Sequence, residues 1–327
     1  MSSTQDVGGV DELVDKLADD LINKSSNGIV NMPDKLIDIH AHTSNYELWG
    51  LHTKTATLDD LEKYARQYNI KKIVLMATYF PYKGTGVNNK EMMQRIQGRD
   101  LFSFFGSLNV MKDFDKGVSE LRELAESKQI AGIKLYPGYQ NFNASDEKMF
   151  EIYKIADKYG LPVMFHTGEL HHCCPRSERK DRELVAQKYP CKGTCYIDDQ
   201  KHLSQPKQMV GAANKFPNVN FILSHLSNPY FLELCDVMSE CPNVYTDISG
   251  QFLSASDEDT VEYREELKIE IQQFLELPNG INRVMFGTDF PIQSYKDSIE
   301  LIKLLNLSSE NEEKIFYGNA ARLLKLD

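Results

Sequence analysis

From Lys35 onward the apolar residues of this chain fall into short runs, separated by segments in which they recur at helical spacing. The runs are Leu36 to His42, Lys72 to Thr78, Phe102 to Asn109, Ile130 to Tyr136, Pro162 to Thr167, Asn220 to Leu226, Asn243 to Ile248 and Arg283 to Thr288. Short buried strands alternating with amphipathic helices form a parallel sheet wrapped by helices, because each crossover must return the chain to the same end of the sheet. Eight is the number of strands that closes such a sheet into a barrel. Helix signals agree. Thr57-Leu58-Asp59-Asp60 and Ser145-Asp146-Glu147 carry N-cap chemistry, the second segment ends at Tyr159-Gly160, and Ser294 precedes a helix with Leu301, Leu304 and Leu305 on one face. An open doubly wound sheet would want a glycine-rich turn after its first strand, where this chain has His-Ala-His-Thr-Ser-Asn. The pattern predicts an α/β protein, a single (β/α)8 TIM barrel over residues 35–327. Residues 1–34, with one amphipathic segment from Val10 to Ile22, read as an N-terminal arm.

Polar residues interrupt the apolar runs where packing alone does not want them. In the first run Asp38, His40 and His42 alternate with Ile37, Ile39 and Ala41, and a strand's period of two assigns all three polar groups to one face. Burying that face is costly unless its groups have partners or work. Histidine is the commonest metal ligand among side chains, although either imidazole alone reads equally well as a satisfied core or rim residue. The other strand ends supply company: Lys134 and Tyr136 at the fourth, His166 at the fifth, His225 at the sixth and Asp289 at the eighth. In a barrel these ends form the mouth where chemistry occurs. Three imidazoles and a carboxylate converging there would suit a divalent zinc ion with a position left for water.

Taken in order, His-x-His, GIKLYPGYQNF, LPVMFHTGE, NFILSHLSNP, VMFGTDFP and the tail KIFYGNAARLLKL resemble the amidohydrolase superfamily of metal-dependent barrels. Within it the branch resembled is the amidohydrolase-related group, which includes aminocarboxymuconate-semialdehyde decarboxylase and resorcylate-type decarboxylases. The resemblance runs from Lys35 to Asp327. It implies that His40, His42 and His166 are metal ligands, that Asp289 is the carboxylate ligand, and that His225 orients or deprotonates the water at the metal. One divalent ion, zinc first, is implied. A second metal bridged by a carboxylated Lys134 is disfavoured, since that lysine must first lose its proton and nothing local guarantees a lowered pKa. Unmodified, Lys134 would attract an anionic substrate or pair with Asp289 or Asp38. Tyr136 falls where relatives carry other polar residues, so it is expected to shape substrate choice or pack as a rim aromatic. Asp38, one layer deeper, is expected to accept a hydrogen bond from a ligand imidazole or a neighbour.

Composition narrows the partners. A net charge of −11 argues against a phosphate-backbone ligand, and no apolar run approaches the roughly 18 residues of a membrane span. The first 34 residues are acidic and polar rather than basic then apolar, so a cytoplasmic location is expected. A homodimer is left open. The connection from Glu169 to Gln205 is far longer than a barrel loop requires, and it holds four of the six cysteines, Cys173, Cys174, Cys191 and Cys195. It reads as an inserted lid over the mouth; its thiols suit a structural zinc, a local disulfide or free thiols. The expected activity is hydrolysis of a small molecule at an amide, lactone or similar bond. The rival is non-oxidative decarboxylation of a small unsaturated or aromatic acid. A catalytically silent barrel would have lost ligands, and none is lost.

Overall fold

The computed structural model describes residues 32–48, 50–79, 87–170 and 197–326. The segment Val10 to Ile22 and the part of the long connection that holds its four cysteines lie outside the described residues. Eight parallel strands follow one another round a single sheet: β1 (Leu36–Ala41), β2 (Ile70–Met76), β3 (Phe102–Gly106), β4 (Gly132–Leu135), β5 (Val163–Phe165), β6 (Phe221–Leu223), β7 (Val244–Asp247) and β8 (Val284–Met285). Seven fall inside the predicted runs, and β2 starts two residues early. The sheet returns on itself: Ile39 N donates to Phe286 O at 3.2 Å, Asp289 N to His40 O at 2.8 Å and His42 N to Phe290 O at 2.8 Å.

Helices α1 (Leu58–Gln67), α2 (Asn89–Ile96), α3 (Phe114–Glu126), α4 (Phe150–Tyr159), α5 (Ile197–Gln200), α6 (Val210–Lys215), α7 (Phe231–Glu240), α8 (Val261–Glu276) and α9 (Tyr295–Leu304) alternate with the strands, and α10 (Ser309–Glu313) and α11 (Asn319–Leu324) close the chain. Local chemistry sets their ends. Thr57 and Asp60 form a reciprocal capping box on α1, Ser294 accepts from Asp297 N on α9, and Gly160 takes the left-handed conformation that stops α4. The barrel interior is filled by Ile37, Ile39, Val74, Met76, Phe105, Met164, Ile222 and Met285, with Ala320, Ala321 and Leu323 of α11 joining the same cluster. Filled in this way the barrel is a core and not a pore, so polar chemistry is confined to the layer at the strand C-termini.

Candidate metal centre

Alternation in β1 has one break, and that break builds the site. Ile37 and Ile39 face the interior while Leu36 and Ala41 pack toward the helices. Strict alternation would send His40 outward with Asp38. The register against β2 slips between Asp38 and Ala41, and His40 turns inward directly after Ile39. His40 and His42 therefore share the mouth as expected, and Asp38 does not share it with them. Its carboxylate accepts from His40 N at 3.1 Å, Thr288 N at 3.2 Å and Thr288 Oγ1 at 2.6 Å, with Tyr295 beside it. Asp38 thus ties β1 to the end of β8 and accepts no imidazole. Burial outweighs those hydrogen bonds and pushes its carboxyl up to about 7.

His42 Nε2 and His40 Nε2 lie 3.1 and 3.6 Å from the same oxygen, Asp289 Oδ1. One donor atom from each of these three residues falls within 4.8 Å of the others. Burial, reinforced by the charge of Lys134, lowers His40 to about 3, so its ring is neutral at physiological pH. Burial alone would raise Asp289, but the bond from His42 and the nearby His225 and His40 hold its carboxyl well below the usual range. Two imidazoles and an ionised carboxylate oxygen form a donor set that fits a divalent ion. His166, at the end of β5, belongs neither to this donor group nor to the second one found among the described residues, His40, His225 and Asp247. Its Nε2–H donates to Glu169 O at 3.1 Å, leaving the lone pair on Nδ1, and its ring centroid lies 5.0 Å from that of His225. Burial, then His225 and Lys134, keep it neutral.

Lys134 is fully buried in the floor of the mouth, with Nζ 2.9 Å from Ser224 Oγ and 3.4 Å from His40 Nε2. No ion pair to Asp289 or Asp38 is seen among the described residues. Burial lowers its ammonium to about 8, a shift that the sequence reading had no local reason to expect. Tyr136 is buried, its ring centroid 5.4 Å from Lys134 Nζ and its hydroxyl donating to Ala77 O at 2.9 Å. A cavity of ≈ 200 Å³ opens between the loops that follow β5 and β6, lined by Gly168, Glu169, Leu170, Lys201, Pro229 and Tyr230.

His225 sits on a left-handed turn after β6: φ is 63° at His225, 51° at Leu226 and 53° at Ser227. Asp289 is left-handed too, with φ of 55°. Such conformations cost an L-residue roughly 1–2 kcal/mol and persist where the surroundings hold them. Asp247, at the end of β7, does the holding for His225 by accepting its main-chain N–H at 3.2 Å. His225 Nδ1 lies 3.1 Å from Ser249 O, an acceptor only, so Nδ1 carries the proton and Nε2 the lone pair. Burial lowers this imidazole as well. Asp247 and Ser249 are missing from the residues singled out by sequence. The signal was present: Asp247 follows Val-Tyr-Thr at a strand end much as Asp289 follows Phe-Gly-Thr. Gly250 completes the turn with φ of 59°, where a Cβ would come within 3.0 Å of both Asp289 Oδ2 and His225 Nδ1.

An eight-stranded barrel with histidines and carboxylates converging at its strand ends is the architecture of barrel enzymes that hold a divalent ion there. The chain belongs to the amidohydrolase family, whose model matches residues 37–326, and it is an enzyme. None of the curated proteins compared matches its sequence. Among solved structures it is similar to 5-carboxyvanillate decarboxylase from Sphingomonas paucimobilis, at 13% identity and TM-score 0.61, covering 90% of this chain and 100% of that one. It is similar to a dihydroxybenzoic acid decarboxylase from a Polaromonas species, solved with manganese and 2-nitroresorcinol, at 15% identity and TM-score 0.62, covering 90% and 97%. A probable 2-pyrone-4,6-dicarboxylic acid hydrolase from Acinetobacter baumannii matches at 15% identity and TM-score 0.59, covering 89% and 99%. At these identities the likeness establishes the fold.

Proposed function

We propose that the chain is a metal-dependent hydrolase of a small molecule, cleaving an amide, lactone or similar C–N or C–O bond. One divalent ion, zinc in the first instance, is assigned to His40, His42, His166 and Asp289. The observation that carries this reading is the neutral His225, its Nε2 lone pair free of Ser249, in the same mouth as the ionised Asp289 and the neutral His40. When bound, such an ion supplies Lewis acidity toward a carbonyl and lowers the pKa of a coordinated water. His225 Nε2 and Asp289 take the proton from the nucleophile and return it to the leaving group. Lys134, charged in the majority at neutral pH, draws a substrate carboxylate toward the floor, and Tyr136 shapes that end of the site. The second reading is non-oxidative decarboxylation of a small unsaturated or aromatic acid, favoured by the decarboxylases among the structural neighbours. The test is elemental analysis with a screen of lactones, amides and aromatic carboxylates, in which released carbon dioxide separates the two reactions. His40→Ala is expected to lose metal and turnover together, whereas His225→Asn keeps metal and loses turnover by about 10² to 10⁴. Equal metal loss in both variants would overturn these roles and make His225 a ligand.

A further inference from the structure

Asp247 is fully buried, and among the described residues each hydrogen-bond partner of its carboxylate can donate. Oδ1 accepts from His225 N at 3.2 Å, from Ser249 N at 3.0 Å and from Ser249 Oγ, while Oδ2 faces His40 Nδ1 at 3.3 Å. A hydroxyl has one proton, and Ser249 spends it on Asp247. The lone pairs of Ser249 Oγ therefore face His40 Nδ1 at 3.1 Å and His225 Nδ1 at 2.9 Å as acceptors. His225 has a further acceptor in the Ser249 carbonyl, so its tautomer is doubly determined. His40 has only the Asp247–Ser249 pair on its Nδ1 side among the described residues. On its other side, Nε2 points at Asp289 Oδ1 and Lys134 Nζ.

We propose that Asp247 is a positioning residue: it holds the proton of His40 on Nδ1 and so keeps the Nε2 lone pair available to the ion. This rests on the metal assignment of the preceding section. The geometry makes the amide variant the informative one. In Asp247→Asn the amide oxygen must take the Oδ1 position, because the two main-chain N–H groups there cannot turn. The NH2 group is then forced against His40 Nδ1. The amide finds an acceptor there only if Nδ1 gives up its proton, which then moves to Nε2, facing Asp289 Oδ1 3.6 Å away. A proton then occupies the ligand position. Asp247→Ala imposes no such choice, since His40 can still donate from Nδ1 to Ser249.

The experiment measures zinc and manganese affinity by competition titration on wild type, Asp247→Asn and Asp247→Ala, with thermal midpoints and histidine ¹⁵N NMR of each metal-free protein. The affinity order expected is wild type, then Ala, then Asn, with Asn at least about tenfold below Ala. The expected order of thermal midpoints reverses the last two, because Asn still caps the main-chain N–H groups. A role confined to stability would make affinity follow the midpoints. The NMR should show His40 protonated on Nδ1 in wild type and on Nε2 in Asp247→Asn, its signal identified by loss in His40→Ala. Affinity in Asn equal to or above that in Ala overturns the proposal, and so does Nε2–H in the wild type, a reading that needs neither Asp247 variant to fold. Should wild type bind neither ion, the metal assignment fails, and the tautomer comparison still decides the role of Asp247.

Discussion

Asp38 and Asp247 are both wholly buried aspartates within a few ångströms of His40, and their surroundings set them in opposite directions. At Asp38 burial dominates and the carboxyl rises to about 7; at Asp247 burial is overcome by His40, His225 and Ser249, and the carboxyl stays ionised. The consequence for substitution is also opposite. Asp38 Oδ1 accepts two main-chain N–H groups, whereas Oδ2 meets the hydroxyl of Thr288, which can rotate to accept. An amide fits there without conflict. Because the folded pKa lies above the ordinary 3.8, the folded chain retains a proton that the unfolded chain releases between about pH 4 and 7. The contribution of Asp38 to stability is thus fully present below the unfolded value and is lost as pH rises through 7. Its upper limit is about 5 kcal/mol at roughly 1.4 kcal/mol per unit. Urea midpoints at pH 5 and pH 8 should fall more steeply in wild type than in Asp38→Asn. Parallel slopes would show that Asp38 does not titrate in this window.

At the scale of elements, the site depends on three loops that hold one another. Asn228 Nδ2 donates to Gln251 Oε1 at 3.3 Å and to Tyr263 Oη at 2.8 Å, Gln251 Nε2 donates to Ser249 O at 2.9 Å, and Gln251 N donates to Gln293 Oε1 at 2.8 Å. The loops after β6, β7 and β8 are thereby joined behind His225 and Asp289. Gly250 sits at their junction. Replacing it with Ala should cost roughly 1–2 kcal/mol for the left-handed backbone. The same Cβ should push Asp289 and His225 apart, so metal affinity falls by more than the stability loss explains. Thermal melts beside zinc titration of Gly250→Ala check this, and unchanged zinc affinity would show that the junction has room to give.

At the scale of the whole molecule, three of the four proposed ligands come from the two ends of the barrel. His40 belongs to the first strand, His42 follows its end and Asp289 sits in the turn after the last, so a bound ion would fasten the seam where the barrel closes. Binding to the folded state alone stabilises by RT ln(1 + [L]/Kd), about 2.7 kcal/mol at a hundredfold excess over Kd. The wild-type melting temperature should therefore rise with added zinc or manganese and return with a chelator. His40→Ala should show no such increment; an equal rise in that variant would place the ion elsewhere.

The order of elements was legible in the one-dimensional pattern, because strand and helix periods depend on neighbours a few residues apart. The capping box at Thr57, the stop at Gly160 and the cap at Ser294 are local in the same sense. So was the placing of His40, His42, His166, His225 and Asp289 at strand ends. What the pattern could not carry was the slip in β1, since a bulge is decided by pairing with β2 and β8 and turns His40 to the side opposite Asp38. Nor could it carry the lowered pKa of Lys134, which depends on burial in the closed barrel. Asp247 lies 207 residues from His40. Their hydrogen bond exists because closing the barrel brings the seventh strand end across from the first, and that closure alone decides which nitrogen of His40 holds the proton.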